Sequence, residues 1–175
     1  MEQPSQAIEN RILERLNAGK NVRSLFIYAV ELLTDIVGDL VLQAFRKDDY
    51  AVKYAVGPLL SGNGPLGALS IRLKLIYGLG IISRHEYEDC ELVMALYEEL
   101  KHDRADYSFS DDEIVGPIGE LHCISALPPA PPANFNDPAL THMQHQRYQQ
   151  VIRSTLVLAL TTLLAGIGVK KAFGH

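Results

Sequence analysis

Apolar residues recur every three or four positions along most of the chain, which is the pattern of amphipathic α-helices. The first such pattern covers residues 7–16 and stops at Asn17-Ala18-Gly19. A second pattern runs from Val22 to Phe45 without interruption. A stripe of this length predicts a long helix that packs along its whole length, against the core or against another subunit.

Two proline-containing segments divide the middle of the chain into shorter helices. A short helix capped by Asp48 or Asp49 is predicted to end before Gly57-Pro58, because the residue before a proline disfavours helical backbone. Gly64-Pro65 predicts the start of the next helix, since proline at the first helical position loses only an unbonded N–H group. That helix, residues 66–82, is apolar on nearly every side, so we expect other helices to surround it.

The clearest helix start in the sequence is the capping box formed by Ser83 and Glu86. It predicts an amphipathic helix of about five turns, with an apolar stripe on one side and carboxylates on the other. Ser110 and Glu113 have the same spacing. They predict a third helix, which extends through Leu121.

The last third of the chain combines a proline-rich connector with a long helix. Residues 126–138 favour extended backbone and predict a semi-rigid crossover. Asp137 as cap and Pro138 at the first turn predict a helix to about Ala165, polar in its first half and apolar in its second. The apolar run 156–169 is 14 residues long, shorter than the roughly 20 of a membrane-spanning helix. We therefore expect it in the core or at a subunit interface, and no membrane segment.

Together these patterns predict an all-α fold, a compact bundle of six or seven helices in which residues 1–175 form a single domain. A chain of this length can bury roughly 70% of its unfolded surface. Cys90 and Cys123 lie inside predicted helices without metal-ligand spacing, which indicates free thiols in a reducing compartment. Residues 1–21 are polar and amphipathic and do not resemble a secretory signal, so the expected location is cytoplasmic.

Charge is distributed unevenly along the chain, whose net charge is −5. Residues 83–123 carry three Lys/Arg against twelve Asp/Glu, a net of −9, whereas residues 1–82 and 124–175 carry +1 and +3. An acidic surface repels phosphate backbones and attracts basic partners. We therefore predict a protein-recognition face on the acidic helix, with a well-solvated surface as the more common alternative for charged runs. Its candidate residues are Arg84, Glu88, Asp89, Glu91, Glu98 and Glu99.

A nucleic-acid patch is the second interaction hypothesis. The basic residues of the front half concentrate at Arg46, Lys47, Lys53, Arg72 and Lys74. Asp48 and Asp49 are adjacent, so local ion pairing competes with phosphate binding. The short turn at Ile82-Ser83 leads into an acidic helix, which argues against a helix-turn-helix reading the major groove.

No residue pattern supports a catalytic, metal or cofactor site, and we expect a protein that is not an enzyme. His142 and His145 are one helical turn apart, but no carboxylate or cysteine is within helical reach of both. His122 and Cys123 are adjacent on a predicted helix and point in different directions, so a buried thiol and a satisfied imidazole are expected. The turn at residues 61–64 lacks the Gly-Lys-Ser/Thr of a phosphate-binding loop.

Five ordered segments resemble the mannitol operon repressor family of bacterial regulators. They are NRILERLNAGKNVRS, AVELLTDIVGDLVLQAFRKDDYAVKYAVGPLL, GPLGALSIRLKLIYGLGIISRHEYEDCELVMALYEELKHD, SFSDDEIVGPIGELHC and QRYQQVIRSTLVLAL. The resemblance covers residues 8–173, with the connector least similar. It implies an all-helical fold without a familiar DNA-binding motif and repression of the operon for mannitol uptake.

The resemblance also has implications for partners. It implies action through another protein, such as a phosphocarrier protein of the sugar phosphotransferase system or another regulator. DNA would then be bound indirectly or weakly, or by a surface that the resemblance does not identify. The family also contains a paralogue with a less certain target, and the chain could correspond to it.

A more distant likeness concerns the segment ALYEELKHDRADYSFSDDEI, which is similar in layout to helical domains of the HEPN type. Some of these cleave RNA with an arginine and a histidine near a helix end. His102 stands in the histidine's place, but Tyr97 is found where the arginine is expected, so the phosphorane lacks its donor. The likeness implies a helical fold and a homodimer built on that helix pair. RNA binding, or RNA cleavage centred on His102, is the alternative function.

Overall fold

The computed structural model describes residues 4–45, 50–132 and 136–170. These residues form seven α-helices and no strand, as the sequence patterns predict. In chain order the helices are α1 (Pro4–Asn17), α2 (Val22–Gln43), α3 (Tyr50–Leu60), α4 (Leu69–Gly78), α5 (Arg84–His102), α6 (Asp112–Ile118) and α7 (Pro138–Gly168).

Helix α2 is the centre of the bundle. It starts at a capping box in which Asn21 Oδ1 accepts the N–H of Ser24 at 2.8 Å and Ser24 Oγ accepts the N–H of Asn21 at 3.2 Å. The helix contacts α1, α4, α5 and α7, so the predicted packing along its length is confirmed. Its buried residues are Val22, Leu25, Phe26, Ala29, Leu33, Val37, Leu40 and Val41.

Helix α7 completes the core from the other end of the chain. The predicted cap is confirmed, because Asp137 Oδ1 accepts the N–H of Leu140 at 3.1 Å. The apolar second half packs against α1 and α2. Arg153 fixes this packing by donating to the carbonyl oxygens of Asn17 and Gly19 at 2.8–3.2 Å.

By length and composition alone, α7 is the one helix in the described ranges that could cross a membrane. The same test is passed by core helices of soluble proteins. Its 31 residues exceed the 14-residue apolar run because the polar first half continues the same helix. The contacts of α7 with α1 and α2 place it as a core helix in this fold.

Two predicted helix boundaries at prolines are wrong. Helix α3 continues through Pro58 to Leu60. Pro58 has no N–H group, so one carbonyl oxygen of the preceding turn lacks its helical donor. Because no residue of α3 is buried, water can donate to that oxygen instead. Gly64-Pro65 lies in a turn rather than at a helix start, and the N–H of Gly64 donates to the carbonyl of Ser61 at 2.8 Å. Glycine is required at 64 and 67, where a Cβ atom would meet a carbonyl oxygen at 2.2 Å. The predicted caps Asp48 and Asp49 lie outside the described residues.

Helix α4 is therefore shorter than predicted, and the expectation that other helices surround it is wrong. Only Leu73 and Ile76 are buried in it. Ile71, Tyr77 and Leu79 remain 37–51% exposed. The helix packs on α2 and α5 along one side and leaves its other apolar side uncovered.

The capping box predicted at Ser110 and Glu113 is also wrong. The N-cap of α6 is Asp111, without a side-chain bond to the helix, and α6 ends at Ile118. Ser110 Oγ instead lies 3.0 Å from His145 Nε2 and accepts Gln149 Nε2 at 3.1 Å. Contacts with α7 have replaced the local cap.

Candidate protein-interaction surface

Helix α5 starts at the predicted capping box, which also anchors the end of α7. Ser83 Oγ accepts the N–H of Glu86 at 3.2 Å, and Glu86 Oε1 accepts the N–H of Ser83 at 2.8 Å. Glu86 Oε1 also accepts Lys170 Nζ at 2.6 Å. Partial burial would raise the pKa of Glu86, but the hydrogen bonds from Lys170 and Ser83 outweigh it and lower that pKa. The start of α5 is therefore fixed on the bundle.

One side of α5 carries most of the predicted recognition residues. Successive helical residues are rotated by about 100°, so positions 84, 88, 91, 98 and 99 fall within an arc of about 100°. We call these five residues, Arg84, Glu88, Glu91, Glu98 and Glu99, the α5 acidic face. Their side chains reach solvent, and the first four have 40–78% of their surface exposed.

Asp89 does not belong to the α5 acidic face, and its assignment there is wrong. The residue is 3% exposed and lies about 140° around the helix from Arg84. Its Oδ1 accepts the N–H of His122 at 2.7 Å, and its Oδ2 accepts the N–H of Cys123 at 2.9 Å. Asp89 therefore holds the segment after α6 against α5.

His122, held by Asp89, adds an imidazole partner to the N-terminal part of the face. Its Nε2 lies 2.8 Å from Glu88 Oε2, and its ring stacks on His85 with centroids 4.0 Å apart. Arg84 Nε donates to Glu88 Oε1 at 2.6 Å. The hydrogen bonds from His122 and Arg84 lower the pKa of Glu88, and Glu88 in turn raises the pKa of Arg84. Arg84 thus balances the charge of Glu88.

Contacts with α4 support the middle of the face. The rings of Tyr77 and Tyr87 stack with centroids 4.5 Å apart. The hydroxyl of Tyr87 donates to Glu91, and this hydrogen bond, aided by burial, raises the pKa of Tyr87 to about 12. Lys74 Nζ lies 3.8 Å from Glu91 Oε1. Glu91 therefore has one partner on α5, Tyr87, and one on α4, Lys74.

The C-terminal end of the face keeps more uncompensated negative charge. Glu98 Oε2 is 3.6 Å from His102 Nε2, which adds charge only when the imidazole is protonated. Arg23 donates to the backbone oxygens of Asp103 and Ala105 at 2.9 and 3.0 Å, so its contacts here are with backbone. Further exposed carboxylates follow α5 in the chain, at Asp103, Asp106, Asp112 and Glu113.

The predicted nucleic-acid patch does not form one free basic face in the described residues. Arg46 and Lys47 lie outside them. Arg72 is half-buried and donates to the backbone oxygens of Leu66 and Leu60, at 2.6 Å each. Its guanidinium therefore holds the connection between α3 and α4.

The two remaining members of that patch are separated along the chain and used differently. Lys53 is exposed on α3, where it also lines an apolar cavity of about 270 Å³. Lys74 is exposed on α4, close to Glu91 of the α5 acidic face. Lys53 is the one described member that remains open for a phosphate contact.

Several of the residues considered for chemistry have structural contacts. His145 bonds with Ser110, and the described residues contain no group of three His, Cys, Asp or Glu arranged to hold a metal ion. His122 and Cys123 lie in a turn after α6, not in the predicted helix. Cys90 and Cys123 are free thiols, and burial raises the pKa of both, that of Cys123 to about 12.

Comparison with known proteins places this surface in context. A family model described as mannitol repressor matches residues 8–168. The mannitol operon repressor of Escherichia coli strain K12 is 68% identical over 173 residues, which cover 99% of this chain and 88% of that protein. Fumarase E of Shigella flexneri is a more distant relative, 29% identical over 161 residues that cover 89% of this chain and 94% of that protein.

Two solved structures share the fold. The X-ray structure of the MtlR–HPr complex from Escherichia coli contains a chain 68% identical to this one, with a TM-score of 0.91 and coverage of 94% and 100%. YggD from Shigella flexneri 2a, a possible transcriptional regulator, is 28% identical, with a TM-score of 0.76 and coverage of 91% and 98%. With both sequence and fold matched over nearly its whole length, the chain belongs to the mannitol repressor family.

Proposed function

We propose that this chain is a non-enzymatic, cytoplasmic repressor of a mannitol-utilisation operon that acts mainly by binding other proteins. Its 68% identity to the mannitol operon repressor of Escherichia coli supports the regulatory role. The observation that carries the mode of action is the α5 acidic face, which presents four carboxylates on one exposed side of a helix. Such a surface repels DNA and attracts a basic partner.

The proposed partner is a phosphocarrier protein of the sugar phosphotransferase system, and a homodimer is proposed for the chain itself. The complex of a 68% identical chain with HPr supports a partner of this kind. Within the α5 acidic face, Glu98 and Glu99 are the proposed principal contacts, because the charge of Glu88 is already balanced by Arg84.

Charge reversal tests this assignment. The double change Glu98→Lys and Glu99→Lys is expected to weaken binding to the purified phosphocarrier protein at least tenfold, measured by isothermal titration calorimetry, because close interfacial charge pairs contribute about 1.5–7 kcal/mol. The double change Glu9→Lys and Glu14→Lys, at two exposed positions of α1, alters the net charge equally and is the control. Equal affinity of the wild type and the double variant would reject the α5 acidic face as the recognition surface.

Direct DNA binding is the competing mode of action. It predicts salt-sensitive binding of the operator by the chain alone in a gel shift, and uniform weakening by Lys53→Glu at all DNA sequences. Our proposal predicts little operator binding until a second protein is added. Strong binding without a partner would overturn it.

Enzymatic activity is the competing function class, favoured by the relationship to Fumarase E. A cavity of about 220 Å³ lined by Arg23, Tyr97 and Lys101 combines two cations with a phenol, the chemistry that could bind a dicarboxylate. Hydration of fumarate, followed by its ultraviolet absorbance, tests this directly, and loss of activity in Lys101→Ala would support the enzyme. RNA cleavage abolished by His102→Ala would likewise contradict our proposal.

A further inference from the structure

Helix α7 has an exposed stripe opposite its buried side. From residue 151 to 169, the exposed positions are 151, 154, 158, 162 and 169, and all fall within an arc of about 80°. Positions 140, 143 and 147 of the polar half continue the same stripe. We call these eight positions the α7 stripe. Five of them are apolar and 40–65% exposed: Leu140, Met143, Val151, Leu158 and Val169.

The order of side chains along the α7 stripe reads nearly the same from both ends. Leu140 and Val169 are equally far from a point just after Ser154, and so are Val151 and Leu158. Two α7 helices lying antiparallel across a two-fold axis at this point would therefore place apolar side chains opposite apolar ones. The small side chain of Ser154 lies where the helices would approach most closely.

Charge favours the same antiparallel arrangement. Arg147 is the one charged residue of the stripe, and the same symmetry places it opposite Thr162 of the second copy. The two Arg147 side chains then lie about 22 Å apart along the helices, beyond the Debye length of about 8 Å. A parallel pair would place them side by side. Helix α7 contains no Asp or Glu, so the stripe offers a basic partner no carboxylate.

We propose that the α7 stripe is the contact surface of a homodimer, with α7 packed antiparallel on α7 of a second copy. The stripe is about 44 Å long and about 10 Å wide, so two copies would bury close to the roughly 1,000 Å² of the smallest specific interfaces. Interfaces of this size are typical of weak association, so we expect a concentration-dependent equilibrium between monomer and dimer. This surface differs from the helix pair implied by the HEPN likeness and does not depend on phosphocarrier binding.

Sedimentation of the full-length chain over a range of concentrations tests the proposal. The wild type is expected to approach twice the 19.4 kDa of one chain. Leu158→Glu should remain a monomer with unchanged far-UV circular dichroism, because the side chain is 59% exposed. Leu79→Glu, 51% exposed beyond α4, is the matched control and should still dimerise. A wild type that stays monomeric, or a Leu158→Glu variant that still dimerises, would overturn the proposal.

Oxidative crosslinking tests the antiparallel register of the two α7 helices and does not depend on the folding of Leu158→Glu. Ser154→Cys lies next to the proposed axis and should give a covalent dimer. Gln146→Cys is exposed about 80° around the helix from Ser154 and lies about 13 Å from the proposed axis along the helix, so it should not. Equal crosslinking of both variants, or none, would contradict the antiparallel contact. Loss of phosphocarrier binding in the Glu98→Lys and Glu99→Lys variant leaves the expected dimer mass unchanged, so the two proposals can fail separately.

Discussion

Replacing Asp89 by alanine tests how the bundle holds the segment after α6. The change removes a carboxylate that is 3% exposed and that accepts N–H groups at 2.7 and 2.9 Å. A hydrogen bond to a charged group contributes about 1.5–3 kcal/mol, so two of them contribute about 3–6 kcal/mol. His122 is itself exposed, and water can reach its N–H group after the change. The free energy of unfolding is therefore expected to fall by about 3 kcal/mol, the lower end of that range. For a chain of this length, the Tm should fall by about 6–12 °C.

Urea unfolding followed by circular dichroism measures this loss. Asp89→Asn keeps one acceptor oxygen but turns its NH2 donor toward the second backbone N–H, so it should also lose at least half as much. Glu99→Ala, exposed on the same helix, is the control and should change the free energy of unfolding by less than about 0.5 kcal/mol. A loss below about 1 kcal/mol for Asp89→Ala, or equal losses for Asp89→Ala and Glu99→Ala, would refute the reasoning.

Three further predictions concern the ion pair of α5, the thiols and the α3–α4 connection. The pKa of Glu86 in the folded chain lies below its value of about 4.3 in the unfolded chain. The contact with Lys170 therefore stabilises the fold above about pH 4.3, and this stabilisation is lost as the pH falls through the folded pKa. Glu86→Gln should therefore narrow the difference in urea stability between about pH 6 and pH 3, and an unchanged difference would contradict this. Cys90 and Cys123 should react slowly with a disulfide reagent in the native protein at about pH 8, because their raised pKa values leave little thiolate. Both thiols should react rapidly in urea, and fast reaction of the native protein would contradict their burial. Arg72→Ala should lower the free energy of unfolding by about 2–4 kcal/mol, because two carbonyl groups lose a charged donor. It should also speed limited proteolysis between α3 and α4. An unchanged cleavage rate would show that Arg72 does not hold this connection.

Features fixed by local interactions could be predicted from the sequence. The capping box of Ser83 and Glu86 and the cap of α7 by Asp137 depend on residues three positions apart, and both are found as predicted. The apolar pattern of α2 likewise predicted which side is buried. The same spacing failed at Ser110, because His145 and Gln149 of α7 compete for its hydroxyl across 35 and 39 residues.

The burial of Asp89 could not be predicted from the acidic composition of α5 alone. Asp89 lies in one acidic run with Glu88 and Glu91, so composition alone assigns all three residues to the same face. The rotation of about 100° per residue places Asp89 beside Cys90 and Val93, on the buried side, so the helical angle was the signal that could have identified it. Its partners, the N–H groups of His122 and Cys123, could not be read from sequence, since they depend on how α6 returns to α5.

The contact between the first and last helices has a consequence for synthesis of the protein. Arg153 of α7 binds the carbonyl groups of Asn17 and Gly19, so the turn after α1 receives its partner only when the C-terminal part of the chain arrives. About 120 residues separate the end of α1 from the start of α7, which takes about 6–24 s at ordinary rates of translation. During that interval the apolar side of α1 has no partner from α7, and a nascent chain that stalls before residue 138 exposes the part of that surface that α2 does not cover.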